Sequence, residues 1–377
     1  MALEPIFPSA AFASLDGITH VCAAGESLPL NSHHAALAKY LAHKSGGHRG
    51  RHDQNQQLDA VRNLISRLWK VPFDDVGFVS SVAEAVSMVL ESLDWKEGDN
   101  VCVDTDEYPS LVAPFAIRSQ RQPSTSPTIR YSTDGNLARM VDVNTRLIAV
   151  SYVSYLNSAR VDLARYRQLA DSVGAILVVD YTQAAGYTTI DASVADFAFS
   201  ACYKWLLGTT GASIAIWNRS RQPEWKPSTA GWFSLSLGES RPNWTHGGID
   251  TKPNALCFSR GNPGHLSIYL LREGLEFLSQ WDMTEIEQHV QILTTELLDR
   301  LQKEGIPSST PKQKDRHGAS VTIDCAGASE IVDKLSDAGI YAWNGRGRVR
   351  FSFHGYNSMR DVDRIMDVFP ALWRVEN

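Results

Sequence analysis

Short apolar runs that alternate with segments of helical periodicity constrain the fold of this chain more than any other feature. The runs at residues 101–104, 147–151 and 176–180 are short, whereas residues 53–70 repeat their apolar side chains with the period of a helix. Continuous apolar runs of this length are typical of strands that are covered on both faces. Strands that alternate with helices predict an α/β fold, in which helices sandwich a mostly parallel central sheet.

The last third of the chain has a different pattern. Apolar periodicity predicts one long helical segment at residues 266–303, followed by strands at residues 319–323 and 349–353. A length of 377 residues with 43% hydrophobic residues suffices for one large and one small core. We therefore predict a large domain at residues 1–262 and a smaller α+β C-terminal domain at residues 263–377. The N-terminal segment could pack on the small domain.

Charge and composition argue against several classes of protein. The net charge of −6 disfavours a nucleic-acid-binding protein. The five cysteines form no C-x-x-C pair, and we find neither a secretory signal nor an apolar run long enough to span a membrane. We expect a cytoplasmic protein with no membrane partner. No metal site is expected either, because the spacing of the histidines near the N-terminus fits no zinc pattern. These histidines are His33, His34, His43, His48 and His52.

Lys204 has unusual neighbours for a lysine, because Tyr203 and Trp205 flank it within a stretch of small and apolar residues. Desolvation there would lower the pKa of the ammonium group from about 10.4 and make the amine nucleophilic. Asp180 ends an apolar run at the carboxyl edge of the predicted sheet, where α/β proteins bind ligands. A Schiff-base lysine and a carboxylate for a ring nitrogen suit pyridoxal phosphate (PLP). The alternatives are a lysine that extends its amine to solvent and an aspartate that caps a turn.

Three further residues carry weaker signals. Ser81 precedes a predicted helix, whose N-terminus could bind a phosphate or could simply have an ordinary N-cap. Tyr108 could stack on a cofactor ring or only pack in its loop. Arg350 lies among apolar residues of a predicted strand, where a guanidinium group requires an anion. That anion could be a substrate carboxylate or the partner in a structural salt bridge.

Together these residues resemble the class V aminotransferase-like PLP enzymes of fold type I, which include cysteine desulfurases and kynureninases. The resemblance covers nearly the whole chain. Asp180 and Gln183 match the Asp-x-x-Gln/His element of the family, which implies that Asp180 pairs with the pyridine nitrogen and that Gln183 lies near the cofactor O3′. Tyr203 and Lys204 are similar to the kynureninase version of the lysine motif. This similarity implies that Lys204 is the catalytic lysine and that Tyr203 contacts the phosphate.

The same resemblance implies roles for three other parts of the chain. The segment with Ser81, Val82 and Ala83 resembles the turn that binds the cofactor phosphate at the start of a helix. Tyr108 stands where the family has an aromatic residue that stacks on the cofactor ring. Arg350 lies in a segment similar to the C-terminal motif, whose arginine holds the substrate carboxylate.

Two segments resemble parts of the family that reach into the active site of a neighbouring subunit. They contain Trp232 and Asn262, which the resemblance therefore implies as cofactor-binding residues. The implied assembly is a homodimer with shared active sites.

The chain also departs from its relatives at positions that bear on the reaction. Cysteine desulfurases carry a nucleophilic cysteine on a loop before the C-terminal arginine, but residues 331–347 contain none. Cys325 lies earlier, in a predicted strand. Ala201 replaces the serine that desulfurases use for the phosphate, and Gln183 stands where kynureninases carry a histidine. Desulfurase chemistry, which forms a persulfide on a protein cysteine, and a true kynureninase activity are both disfavoured by these differences.

The resemblance therefore implies a PLP-dependent enzyme that binds a free α-amino acid as a Schiff base and deprotonates it at Cα. Our first hypothesis is a lyase that cleaves at Cβ, by β-elimination of a C–S bond. The alternatives are a kynureninase-type hydrolase that cleaves the Cβ–Cγ bond, an aminotransferase and an epimerase. A catalytically silent binding protein with the PLP fold is an alternative of a different class. The presence of Lys204, Asp180 and Arg350 together argues against it.

Overall fold

The computed structural model describes residues 3–13, 17–133, 135–237, 244–245 and 248–376. Within these residues the strands are β1 (Thr19–His20), β2 (Val76–Val79), β3 (Asn100–Asp104), β4 (Thr128–Ser132), β5 (Thr145–Ser151), β6 (Ile176–Asp180), β7 (Phe197–Ala201), β8 (Ser213–Trp217), β9 (Ser320–Asp324), β10 (Ile340–Tyr341), β11 (Trp343–Asn344) and β12 (Arg348–Ser352). The α-helices are α1 (His33–Ser45), α2 (Gly47–Leu68), α3 (Val82–Glu91), α4 (Pro109–Arg121), α5 (Leu163–Val173), α6 (His265–Leu278), α7 (Met283–Lys303), α8 (Ala328–Asp337) and α9 (Met359–Glu376).

A seven-stranded sheet in the order β2-β8-β7-β6-β5-β3-β4 forms the centre of the molecule. Strand β8 runs antiparallel to both of its neighbours, and the other six strands run in one direction. One hydrophobic core contains apolar side chains of α3 and α4, and a second contains those of α2 and α6. The predicted α/β fold with a mostly parallel, helix-covered sheet is therefore confirmed.

The strand register brings the carboxyl ends of the parallel strands together at one edge of this sheet. Ser151 at the end of β5 is paired with Asp180 at the end of β6, and Asp180 is paired with Phe199 of β7. Since β6 is the central strand, Asp180 lies in the middle of that edge, where open α/β sheets bind ligands.

The C-terminal part contains an antiparallel sheet in the order β11-β12-β9, together with α8 and α9. The N-terminal segment packs here, because β1 pairs in parallel with β10 and the ring of Phe7 contacts those of Phe277 and His354. The boundary that we predict after residue 262 falls just before α6 and stays a prediction.

The secondary structure differs in several details from the sequence-based expectations. The long helical segment is two helices, α6 and α7, because Asp282 accepts a hydrogen bond from the Thr284 N–H (2.8 Å) and so caps the start of α7. Strands β4 and β7 were not expected.

Among the described residues no helix is long and apolar enough to cross a membrane, and no three His, Cys, Asp or Glu side chains group as metal ligands.

Candidate active site

Lys204 lies in the turn that follows β7, at the edge of the sheet that also carries Asp180. The residue is only 6% exposed, and its Nζ lies 5.6 Å from the ring centroids of both Tyr108 and Tyr203. The turn is anchored to the C-terminal part, since the Trp205 indole donates a hydrogen bond to the Phe353 carbonyl (3.0 Å). The lysine is therefore held between aromatic rings rather than extended into solvent.

The charge environment of Lys204 favours a neutral amine. Burial lowers the pKa of Lys204 to about 8, and the nearby Arg350 guanidinium acts in the same direction. The carboxylates of Asp180 and Glu26 oppose this effect only in part. At pH 7 about one tenth of the amine is then unprotonated, far more than for a lysine in water, and it is this neutral form that a nucleophile or base requires.

Asp180 is buried, with 4% exposure, and its Oδ1 accepts a hydrogen bond from the Thr182 N–H (2.8 Å). Burial raises the pKa of this carboxyl, although the Thr182 hydrogen bonds and the Lys204 charge lower it. Asp180 lines a cavity, and a cationic partner bound there would stabilise the ionised form of its carboxyl. Gln183, three residues on, is also buried and donates its side-chain amide to the Ala24 carbonyl (3.3 Å).

The start of α3 faces the same cavity. Ser81 is the N-cap, and its Oγ accepts a hydrogen bond from the Glu84 N–H (3.2 Å). The Glu84 carboxylate in turn accepts hydrogen bonds from the Ser80 N–H (2.8 Å) and the Ser80 hydroxyl (2.6 Å). The N-terminal N–H groups of this ten-residue helix and its dipole favour an anion, but both donors of Ser80 are already occupied by the Glu84 carboxylate.

Arg350 lies on β12, directly opposite Trp343 of β11 and Thr322 of β9. The residue is 8% exposed, and its Nη1 donates a hydrogen bond to the Tyr155 carbonyl (2.9 Å). Its buried Nε has no hydrogen-bond partner within the described part of the chain. Burial lowers the pKa of Arg350 to about 10, which leaves the group charged at neutral pH and suited to an anionic ligand.

These side chains surround two adjoining cavities. The Asp180 cavity, of about 240 Å³, is lined by Asp180, Ser81 and Val82 among others, and the Arg350 cavity has about 480 Å³. The residues that line both cavities are Tyr108, Tyr155, Gln183, Tyr203, Lys204 and Thr210. Lys204 therefore stands between a site that contains a carboxylate and a site that contains a guanidinium group.

Three residues implied by the resemblance lie outside both cavities. Ala83 follows Val82 on α3 but does not line either cavity. Trp232 is 60% exposed and contacts only the Phe233 ring among the aromatic side chains of the described residues. Asn262 lines separate surface cavities that adjoin Gly211. A single chain does not bring these side chains to Lys204.

Glu107, which precedes Tyr108, is an acid for which the sequence indicated no role. Its carboxylate accepts hydrogen bonds from the Ser151 N–H (2.6 Å), the Ser151 hydroxyl (2.5 Å) and the Tyr108 N–H (3.2 Å). Burial raises the pKa of Glu107 to about 7, and the neighbouring Asp180 charge acts in the same direction. The group ties the end of β5 to the backbone of Tyr108. In the sequence, only its position beside Tyr108, the candidate ring-stacking residue, could have indicated that Glu107 belongs to the site.

The fold and this arrangement define a fold type I PLP-dependent enzyme. Residues 23–365 match the model of the aminotransferase class-V family, and the chain belongs to that family. It is 23% identical to a probable cysteine desulfurase of Pyrococcus abyssi over 88% of each chain. It is also 23% identical to an uncharacterized aminotransferase of Bacillus subtilis over 84% of each chain.

Solved structures with the same fold include two related proteins. One is the apo cysteine desulfurase of Thermococcus onnurineus, with a TM-score of 0.84, 20% identity and 95% of each chain covered. The other is the cystine C–S lyase C-DES in complex with its product cysteine persulfide, with a TM-score of 0.85 and 17% identity. That match covers 95% of this chain and 99% of the lyase.

The cofactor of this enzyme is PLP, and the donor set of the site fits its chemistry. An aldehyde requires an amine that is partly unprotonated, as at Lys204. A pyridine nitrogen requires a buried carboxylate such as Asp180, and a phosphate requires backbone donors such as those at the start of α3. When bound, PLP supplies an electron sink for the charge that develops at the substrate Cα.

Proposed function

We propose that this enzyme is a lyase that cleaves a C–S bond at Cβ of a free α-amino acid by β-elimination. The observation that carries the proposal is that Lys204 and Arg350 line one cavity to which no cysteine of the described residues contributes. A base and a carboxylate-binding group are thus available, but no thiol that could accept sulfur. With cystine as substrate, the balanced products are pyruvate, ammonia and cysteine persulfide, with one water consumed.

The roles proposed for the cofactor-side residues follow from their chemistry. Asp180 would hold the pyridine nitrogen, and Tyr108 would cover one face of the ring. Ser81 and Tyr203 would bind the phosphate. Each group lines the Asp180 cavity, so that these contacts require no rearrangement of the sheet edge.

Arg350 would bind the substrate carboxylate. Its Nη1 is already fixed by the Tyr155 carbonyl, whereas its buried Nε has no hydrogen-bond partner among the described residues. A carboxylate would satisfy this donor and offset the burial of the charge. The substrate would thereby be oriented with its Cα beside Lys204, because both residues line the Arg350 cavity.

Lys204 would remove the proton from the substrate Cα and return a proton to the product side. Its pKa of about 8 lies close to neutral pH, so that the amine can both accept and release a proton there. The ring contacts with Tyr108 and Tyr203 limit where the amine can move. These contacts favour proton transfer at a single position, the substrate Cα.

The positions of two cysteines support elimination rather than transfer of sulfur to the protein. Cys325 directly follows β9, and Cys22 pairs in parallel with Ser352 of β12 through an isolated bridge. Neither cysteine lines the Asp180 or the Arg350 cavity. Burial raises the pKa of Cys22, which disfavours its nucleophilic thiolate form. The structurally similar cystine C–S lyase, whose product is cysteine persulfide, offers a precedent for such a reaction on this fold.

Product analysis tests the proposal. The holoenzyme would be incubated separately with L-cystine, L-cysteine and L-kynurenine, and pyruvate, ammonia, alanine and released sulfur would be measured. We expect pyruvate and ammonia in equal amounts from a sulfur substrate, and no activity for Lys204→Ala. Lys303→Ala, which removes an exposed lysine near the end of α7, is the matched control and should retain activity.

Other products would reject elimination. Alanine with sulfur bound to the protein would indicate a desulfurase, and loss of that activity in Cys325→Ser would identify the acceptor. Alanine with an aromatic acid from kynurenine would indicate a hydrolase. A protein that does not develop the visible absorbance of bound PLP on addition of the cofactor would contradict the assignment as an enzyme.

A further inference from the structure

The Arg350 cavity contains more positive charge than binding of one α-carboxylate requires. Its cationic lining residues are Lys204, Arg346, Arg348 and Arg350, whereas its only acidic lining residue within the described part of the chain is Glu26. Lys204 and Arg350 are buried in this cavity, whereas Arg346 is exposed at its rim. A substrate with a single carboxylate would therefore contact only the buried end of the cavity.

Three of these four charges already have a partner or a proposed role. Arg350 is the proposed ligand of the α-carboxylate. Arg348 forms an ion pair with Asp324, with 2.7 Å between Nε and Oδ1. The carboxyl of Glu26 is coupled to Lys204, whose charge lowers the pKa of Glu26 against the larger effect of burial. Only Arg346 is left without an acidic partner in the ranges that the structure describes.

The backbone at Arg346 is an independent sign that its side chain has a role. Arg346 has a φ of 57°, in the left-handed region, and it occupies the turn between β11 and β12 with Gly345 and Gly347. Glycine or asparagine would adopt this conformation more readily, because a long side chain there costs about 1 kcal/mol or more. The Gly345 N–H donates a hydrogen bond to the Arg348 carbonyl (3.1 Å), which closes the turn and fixes the position of Arg346.

The surroundings of Arg346 direct its guanidinium group toward the cavity. Its Cζ lies 5.3 Å from the ring centroid of Tyr155, whose backbone carbonyl binds Arg350. Trp343 forms another part of the wall and packs so closely on Gly25 that a Cβ atom at residue 25 would collide with the indole ring. Arg346 and Arg350 therefore line the same cavity and are bridged by Tyr155.

We propose that Arg346 binds a second acidic group, carried at the far end of the substrate side chain. The substrate class is then an α-amino acid with a carboxylate or sulfonate beyond its Cβ–S bond, with Arg350 at one end and Arg346 at the other. A guanidinium group suits either oxyanion, because its parallel N–H donors match two oxygens. The identity of the bond that is broken rests on the proposed function. The binding of the two acidic groups by Arg350 and Arg346 does not depend on it.

A pair of isosteric ligands tests the inference. S-carboxymethyl-L-cysteine and S-carbamoylmethyl-L-cysteine differ only in a terminal carboxylate or amide. We expect the wild-type holoenzyme to bind the acid at least about tenfold more tightly than the amide, equivalent to about 1.4 kcal/mol. Dissociation constants from calorimetry are the primary measurement, and the ratio of the two kcat/KM values is the second.

The variants assign the preference to one side chain. Arg346→Asn removes the charge but keeps a residue that tolerates positive φ, and it should abolish the preference for the acid. Arg346→Lys should retain part of the preference. Arg121→Asn, at an exposed arginine in the last turn of α4, is the matched control and should retain all of it. Thermal melting would show that each variant is folded.

The outcomes separate this inference from the proposed reaction. Tighter binding of the acid that depends on Arg346, without turnover of either ligand or of cystine, would support the inference and contradict elimination. Turnover with equal affinity for acid and amide would overturn the inference and leave elimination intact. A preference for the acid that survives in Arg346→Asn would also overturn it.

Discussion

Lys204 is buried between one cationic neighbour, Arg350, and two anionic neighbours, Asp180 and Glu26. Burial and these charges together set the pKa of its amine. Burial is the largest effect on its pKa, and the Arg350 guanidinium lowers this pKa further. Arg350 would therefore have two effects, because the cation that binds a substrate carboxylate also favours the neutral form of the amine. A carboxylate at Arg350 would reduce this second effect and allow Lys204 to hold a proton.

The pH dependence of PLP uptake tests this balance. Only the neutral amine attacks the aldehyde, so the rate constant for PLP uptake by the apoprotein should rise with pH and reach half of its maximum near pH 8. A lysine in water would have its midpoint near pH 10.4. Because the Arg350 charge lowers the pKa of Lys204, Arg350→Gln should move the midpoint to higher pH. The rise in visible absorbance after stopped-flow mixing measures the rate.

Arg121→Gln provides the matched control, since it removes an exposed arginine outside both cavities. Its midpoint should equal that of the wild type, which also corrects for titration of PLP itself. A midpoint near pH 10 in the wild type, or one that does not move in Arg350→Gln, would show that Arg350 does not control the amine.

Individual site residues differed in how far the sequence could indicate them. Asp180 was recognisable because it ends a short apolar run, and Lys204 because Tyr203 and Trp205 flank it. Glu107 was not, because its importance arises from hydrogen bonds with Ser151, which is 44 residues away. Arg346 was overlooked for a similar reason, since its left-handed backbone and its lack of a described acidic partner exist only in the folded chain.

At the scale of elements, α3 is the part of the site whose role depends most on local structure. Ser81 caps this helix through its hydroxyl, and the residue also lines the Asp180 cavity. A cap contributes about 1 kcal/mol to stability wherever it occurs. Only a cap beside the cofactor would also change the affinity for PLP, so the two effects can be separated.

We expect Ser81→Ala to destabilise the protein by about 1 kcal/mol and to weaken PLP binding. Asp282→Ala removes the equivalent cap of α7, whose side chain accepts from the Thr284 N–H, and Asp282 lines neither cavity. It should lower stability by a similar amount and leave the PLP affinity unchanged. Urea unfolding and titration of the apoprotein with PLP measure the two quantities. Equal PLP affinities for both variants and the wild type would show that Ser81 does not contribute to phosphate binding.

The elements that periodicity predicted best are those with the longest uninterrupted patterns. Strands β3, β5 and β6 and helix α2 lie close to their predicted positions, because burial dictates their composition. The division of residues 266–303 into α6 and α7 was not predicted, since both helices continue the same apolar period and Asp282 marks the break only weakly. Strand β4 was overlooked because much of its side-chain surface is exposed, so it lacks a continuous apolar run.

At the scale of the whole molecule, Trp232 and Asn262 are the main unexplained features. The family resemblance implies that both contribute to an active site, yet neither lines a cavity with Lys204 in its own chain. An exposed tryptophan is a costly surface residue in a monomer and a common anchor in an interface. We therefore expect a homodimer in which these residues complete the partner's site, an arrangement that a single chain cannot reveal.

Subunit mixing provides a direct test of this shared site. Lys204→Ala should be inactive, and Trp232→Ala should lose about tenfold or more of the activity if its side chain positions the cofactor or substrate. In a mixed dimer, one site would combine the intact Lys204 of one chain with the intact Trp232 of the other. Co-expression of the two variants should then restore about one quarter of the wild-type activity, because half of the dimers are mixed and each has one intact site.

Co-expression of Lys204→Ala with Arg350→Ala serves as the matched control. Both residues line the same cavity within one chain, so every site in their mixed dimer lacks one of them and no activity should return. Restoration in both mixtures, or in neither, would contradict a shared site, and sedimentation of the wild type as a monomer would do the same. If activity returns only when Lys204→Ala is co-expressed with Trp232→Ala, the tryptophan must act in the site of the partner subunit. Neither variant contains an intact site within its own chain that could explain this result.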